Sequence, residues 1–148
     1  VSTHVREAAA SDAITVLGLV RAHAGFEHGE ASLSLDDLKA ILSADYPPTH
    51  LLVAEGDTAL VGYAAVTFDF SLWRGRTYGH LDCLFVAASV RGRGIGKQLF
   101  DAAVRLAQAE GVDRLEWQTP VWNSDAIRFY IRTGALGMRK QRFTISLW

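Results

Sequence analysis

Two rhythms of apolar residues run along the chain, one close to every third or fourth position and one in short continuous runs. Val5 opens a short strand, and Ser11-Asp12 offers an N-cap for a helix carrying Ile14, Leu17, Leu19 and Val20. Leu38, Ile41 and Leu42 recur at helical spacing, which predicts a second helix from Leu35 to Ala44, capped by Ser34 and stopped by Pro47-Pro48. Three strand runs follow. His50 to Glu55 turns at Gly56-Asp57 into Leu60 to Phe68, an antiparallel hairpin. Gly75 and Gly79 lead into His80 to Val86, apolar at nearly every position as a central strand is. Ile95, Leu99, Ala102, Ala103 and Leu106 then form one stripe, with Lys97, Gln98, Asp101, Arg105 and Gln108 opposite, so a helix runs from near Gly94 to Gly111. Leu115 to Gln118 is a further strand, and strand–helix–strand predicts a right-handed parallel pairing. Asn123 caps a short helix ending at Gly134, and Phe143 to Leu147 closes the sheet. The expectation is an α/β (α+β) mixed sheet with helices on both faces.

Composition narrows the picture. The 148 residues, 49% of them hydrophobic, fit one globular domain. Fifteen Lys+Arg against sixteen Asp+Glu leave a net charge of −1, which excludes a global nucleic-acid footprint. The lone Cys83 excludes an internal disulfide and a Cys-rich zinc site, and no metal-ligand cluster is evident. No run reaches the roughly 18 apolar residues of a membrane helix. Val1 to Glu7 has no basic segment leading into an apolar one, so the expectation is a soluble, cytoplasmic protein.

Val90-Arg91-Gly92-Arg93-Gly94-Ile95-Gly96-Lys97 is the most informative stretch. It joins a buried strand to the first turn of an amphipathic helix. The first helical amides have no internal acceptor, and the helix end carries about half a positive charge. Glycines let a bulky anion approach these amides, and Arg91, Arg93 and Lys97 add charge. The prediction is a phosphate or diphosphate seat. A P-loop is excluded because Gln98 follows Gly96-Lys97 where a hydroxyl is required. A dinucleotide fingerprint fails because Lys97 and Leu99 stand where its third glycine belongs.

The pattern that fits is R-x-x-G-x-G, running from Arg91 to Gly96. It resembles the acetyl-CoA signature of the GCN5-related N-acetyltransferases (GNATs). Gly62-Tyr63-Ala64, Leu81 to Val86, and Trp122 to Tyr130 with Gly134-Ala135 resemble other motifs of that family, so the likeness spans roughly residues 50 to 136. Phe70-Ser71-Leu72-Trp73-Arg74-Gly75-Arg76 followed by Leu81-Asp82 is most similar to the diamine (spermidine/spermine) branch.

The resemblance implies a mostly antiparallel sheet of six to seven strands whose central parallel pair splays apart. It implies acetyl-CoA as cofactor, with Leu84, Phe85 and Val86 along its pantetheine arm. The turn itself, Arg91, Gly92, Arg93, Gly94, Ile95, Gly96 and Lys97, would hold the diphosphate. Asn123 would bond the cofactor arm, and Tyr130 would also contact it and protonate the departing thiolate. These two lie seven residues apart on one helix, so they share a face roughly 10 Å apart along the axis.

The acceptor amine arrives protonated and must lose a proton before it attacks. Strand alternation sets His80, Asp82, Leu84 and Val86 on one face and Leu81, Cys83 and Phe85 on the other. Asp82 is the first candidate to bind the cation and take its proton, directly or through water, and His80 is the second. Relatives in the diamine branch carry Glu where Asp82 stands. Glu27, in the Phe26-Glu27-His28 loop with Glu30, adds negative charge for a cationic acceptor. Cys83 reads as core.

The expected activity is direct acetyl transfer to a primary amine of a small molecule: a diamine, polyamine or lysine-like amine. A family member acting on protein or antibiotic amines, and a CoA-binding module without turnover, are the rival readings. Phe143 to Trp148 is apolar enough to pair with a second subunit as a homodimer.

Overall fold

The computed structural model describes residues 2–148. They form two compact units, Val1–Trp117 and Gln118–Trp148. The first unit is built on a five-stranded sheet in the order of the chain, β1 (His4–Glu7), β2 (His50–Glu55), β3 (Leu60–Ser71), β4 (Arg76–Val86) and β5 (Leu115–Glu116). The first three pairings are antiparallel and β4–β5 is parallel. Two tight hairpins fix the middle of this order. Gly56 donates its amide to Ala59 at 2.8 Å between β2 and β3, and Gly75, at φ +65°, donates to Ser71 at 2.8 Å between β3 and β4.

Helices cover both faces. α1 (Ala13–Phe26) and α2 (Leu35–Ser43) bury Ala13, Val16, Leu17, Leu19 and Leu38 against Val53, Tyr63 and Phe85, which share one face by register. α3 (Ile95–Ala109) packs on the opposite face, where Gly62 and Gly79 leave no side chain between helix and sheet. Ser34 caps α2 as predicted, accepting the Asp37 amide at 3.0 Å. Asp12 does not cap α1 in that way. Its carboxylate instead takes two bonds from Arg6 and one from the Ala9 amide, so a 3-10 turn over Ala10–Asp12 leads into the helix. Ile14, expected on the apolar face, is 72% exposed because Ala13, Val16 and Leu17 hold the buried side of α1.

Two expectations about strands are corrected. Among the described residues five strands form rather than six or seven. Phe143 to Leu147 carries no strand hydrogen-bond ladder, and its large side chains stand exposed. In the second unit the regular element is α4 (Ser124–Arg132), whose N-cap Asn123 accepts the Ala126 amide at 3.2 Å.

Candidate functional site

The parallel pair meets only at its start. Gly79 pairs with Leu115 and His80 with Glu116, and then β5 ends while β4 runs on to Val86. Among the described residues, Leu81–Val86 therefore has no strand partner on the β5 side. Such an edge keeps free backbone groups for a ligand.

A bulge reshapes the same strand. Ala65 pairs with Cys83 but the next residue, Val66, pairs with Leu81, so Asp82 is the extra residue on β4. An inserted residue flips every side chain beyond it. The simple alternation expected from sequence is thereby overturned. Leu84 and Val86 lie opposite Ala64 and Gly62, on the α3 face together with Leu81. His80 lies opposite Thr67 on the other face, with its Nδ1 3.5 Å from Thr67 Oγ1. Cys83 and Phe85 share that α1-side face. Asp82 does not stand away from Cys83: the thiol donates to Asp82 Oδ2 at 3.7 Å.

Beyond β4 a 3-10 turn over Ala88–Val90 leads into the glycine turn. Gly92 and Gly94 adopt φ +78° and +81°, left-handed values that cost other residues energy. A Cβ at either would meet nothing within 4 Å, so the mouth of α3 is open. Gly94 is the N-cap and supplies no side-chain acceptor. Among the described residues, no bond reaches the amides of Ile95, Gly96 and Lys97. This cradle of unsatisfied donors suits a diphosphate, so the residues present fit the CoA group.

The cations of the turn have distinct fates. Arg93 is exposed beside the two left-handed glycines. Arg91 Nε donates to the Val86 carbonyl at 2.9 Å, and its guanidinium lies 4.7 Å from the Phe26 ring and 5.3 Å from the Phe85 ring. Lys97 Nζ pairs with Asp101 at 2.6 Å on the exposed side of α3. The side chains of Ile95 and Phe85 are buried, so only their backbone can serve a cofactor.

On the α1 side a chain of polar groups adjoins Asp82. Glu27 is the C-cap of α1, and its carboxylate lies 2.9 Å from His23 Nε2. It is thus tied to the helix rather than carried on a loose loop. His23 Nδ1 lies 2.6 Å from Tyr63 Oη, and the ring stacks on Phe85 at 5.0 Å. Burial drives the Tyr63 hydroxyl well above the ordinary phenol range, with Cys83 and Asp82 adding to the effect. Burial pushes the Cys83 thiol up to about 11, helped by the Asp82 charge. Sequence reasoning gave His23 no role and named Tyr63 only within the Gly62-Tyr63-Ala64 motif; the two stand 40 positions apart.

In the second unit, Asn123 and Tyr130 lie on α4 as predicted, with the Tyr130 ring 5.2 Å from Phe129. Asp125 pairs with Arg128. The segment singled out for the diamine branch, Phe70 to Arg76, forms the β3–β4 hairpin tip. There Arg74 grips Asp113 with two bonds and Arg76 adds a third, while Trp73 is fully exposed.

The sequence profile of the Acetyltransferase (GNAT) family matches residues 19–135. The chain belongs to the GNAT family. The acetyltransferase is 31% identical to thialysine N-epsilon-acetyltransferase of Mus musculus, over 90% of this chain and 84% of that one. It is 28% identical to L-ornithine N5-acetyltransferase of Arabidopsis thaliana, over 58% of this chain and 38% of that one. Both names place the acetyl group on a side-chain nitrogen, in keeping with the diamine branch of the GNAT enzymes. A structure of the aminoglycoside N-acetyltransferase AAC(6')-Iy in complex with CoA superposes with a TM-score of 0.80 at 20% identity, covering 99% of this chain and 96% of that one. This last likeness shows the shared fold. No helix among the described residues of the acetyltransferase is long and apolar enough to cross a membrane.

Proposed function

We propose that the chain acetylates the terminal primary amine of a small molecule, a diamine, polyamine or lysine-like amino acid, with acetyl-CoA as donor. The observation that carries the reading is the open mouth of α3, where Gly92 and Gly94 at positive φ leave three helical amides without acceptors. The side-chain amines named in the relatives support the substrate class.

In this reading Arg91, Gly92, Arg93, Gly94, Ile95, Gly96 and Lys97 hold the diphosphate, chiefly through backbone amides and the positive end of α3. The unpaired edge at Leu84, Phe85 and Val86 aligns the pantetheine arm, with Asn123 bonding the same arm. Acetyl-CoA supplies the acetyl group as an activated thioester. Asp82, exposed at the bulge, holds the incoming ammonium and accepts its proton. His80 and Glu27 add polar and negative surroundings for the cation. Tyr130 supplies a proton from Oη to the leaving sulfur. Holding two substrates in line supplies much of the rate. The enzyme works in the cytoplasm, and the exposed Phe143, Ile145 and Leu147 support pairing as a homodimer.

The test is CoA thiol release with acetyl-CoA across ornithine, thialysine, lysine, short diamines, an aminoglycoside and peptide amines. Turnover with one of the first four classes, lost in D82N and reduced in Y130F while CoA binding persists, is the expected result. Turnover only with peptides or aminoglycosides would overturn the substrate class, and CoA binding without turnover would overturn the activity.

A further inference from the structure

His23 is shared between two partners, and the reaction above leaves it without a task. Its side chain is 14% exposed, and the ring stacks on Phe85 at 5.0 Å with Tyr63 edge-on at 5.7 Å. Glu27 is a carboxylate and can only accept, so His23 Nε2 carries the proton across their 2.9 Å contact. Nδ1 of the neutral ring is then an acceptor, and the Tyr63 hydroxyl donates to it at 2.6 Å. Tyr63 is 1% exposed, and a buried phenol needs a partner, which Nδ1 alone provides for its proton. The second bond, from Nε2, reaches outward to a carboxylate that is 38% exposed and fixes where its charge stands. Phe85 and Cys83 lie two positions apart on one face of β4, about 7 Å along the strand. His23 and Glu27 stand at the Phe85 end of that stretch, and Asp82, which accepts the Cys83 thiol at 3.7 Å, at the other. Among the described residues, no lysine or arginine pairs with either carboxylate.

We propose that His23 and Tyr63 hold the Glu27 carboxylate where it binds the acceptor's second ammonium, and so set a preference for doubly charged amines over singly charged ones. This role rests on the reading of Asp82 as the anchor of the reacting amine. An acceptor held there meets a second anion one short carbon chain away. The second ammonium has two sources, the far amine of a diamine and the α-amine of a lysine-like amino acid, and Glu27 offers both the same chemistry. A glutamate at the C-cap of a helix, followed by His28 at φ +63°, has several rotamers open to it. The bond from Nε2 selects one of them. Tyr63 acts one step further back: its hydroxyl on Nδ1 stops the imidazole from flipping, so Nε2 stays aimed at Glu27. A merely structural pair would be complete with the His23–Tyr63 bond and would leave Glu27 unattached. His23 and Tyr63 are positioning residues, since neither is placed against either substrate.

The test uses the full chain with saturating acetyl-CoA and three acceptors of matched carbon chain, pentylamine, cadaverine and lysine, which differ in their second charge. The wild type is expected to favour cadaverine, lysine or both over pentylamine by at least about fivefold in kcat/KM, the scale of one exposed ion pair, and the favoured compound identifies the source of the second ammonium. E27Q should remove that preference. H23L should remove most of it through the amine KM, with kcat on pentylamine and the KM for acetyl-CoA changed less than about twofold. Y63F should lose a smaller part in the same direction. H23Q, which keeps a donor for Glu27 and an acceptor for Tyr63, should restore at least about half of the preference. Thermal melting alongside identifies a variant that fails to fold, and where H23L does so, Y63F, which keeps the ring, measures the same loss. A preference lost in E27Q but intact in folded H23L and Y63F, or equal losses on all three amines, would overturn the positioning role alone. A preference untouched by E27Q would overturn the Glu27 contact. An active D82N, or no turnover with any of the three amines, would overturn the reading beneath it.

Discussion

Arg91 Nε donates to the carbonyl of Val86 at 2.9 Å, tying the start of the glycine turn to the end of β4. The guanidinium also lies over Phe26, at the last residue of α1. Arg91 is thus a strap across three elements as well as a positive charge. A charged hydrogen bond with one such ring contact is worth about 1 kcal/mol at an exposed site. R91A should therefore melt several degrees lower and also lose CoA affinity. R91K keeps the charge but not the planar fork, and should recover affinity better than melting temperature. Thermal melts with and without CoA check both.

Gly94 tests the seat itself. With φ at +81°, an alanine costs about 1 kcal/mol from backbone strain alone. Its methyl group would project into open space at the mouth of α3. G94A should keep its fold with a modest drop in melting temperature, while CoA binding by calorimetry falls about tenfold or more. Unchanged affinity would remove the glycine turn from the binding site.

The Lys97–Asp101 pair makes a different demand. An exposed i,i+4 pair contributes only a few tenths of a kcal/mol, so breaking it barely alters stability. D101N should release Lys97 toward an anion at the helix mouth and lower the acetyl-CoA KM at low salt. K97A should raise the same KM a few-fold, and both effects should fade at about 0.5 M salt as charges are screened.

Acid should loosen the ion pairs of two carboxylates. Arg6 holds the Asp12 carboxyl below its usual 3.8, and Arg74 and Arg76 hold Asp113 down to about 2. A depressed folded value means that the stabilisation is present above the unfolded value and is lost as pH falls through the folded one. The melting temperature should therefore decline between about pH 4 and about pH 2. D12N and D113N should each flatten that decline, and melts across the range decide it.

Cys83 gives an independent check on the interior beside the bulge. With its thiol raised to about 11, the thiolate fraction near pH 8 is about a hundredfold below that of a thiol at the ordinary value of 9.0. Alkylation by iodoacetamide should be correspondingly slow in the native protein and rapid after denaturation. Fast native labelling would contradict the half-buried setting of Cys83.

Much of this fold could be read from the chain because local signals agreed with one another. For α3, the stripe from Ile95 through Leu106, a glycine at its start and Gly111 after its end all named the same helix. The hairpin at Gly56 was equally explicit. The bulge at Asp82 was not legible. One inserted residue in Leu81-Asp82-Cys83-Leu84-Phe85-Val86 leaves the apolar run intact, and only the register with β3 reveals it. The resulting errors fell on the site itself, where His80 and Leu84, expected on one face, stand on opposite ones. The network behind Asp82 was hidden for another reason: its members come from α1, β3 and β4, and no local pattern links them. Phe143 to Leu147 shows the opposite failure, since the segment expected to close the sheet forms no strand.

Gly62 sits where β3 passes closest to α3. A methyl group there would lie 2.7 Å from the Phe85 carbonyl oxygen and 3.0 Å from Leu99 Cδ1. The oxygen belongs to β4, so the two strands would have to part at that step, and with them the end of β4 from which the glycine turn departs. A single hydrogen atom, some thirty positions before that turn, thus acts as the spacer that sets where the clamp begins.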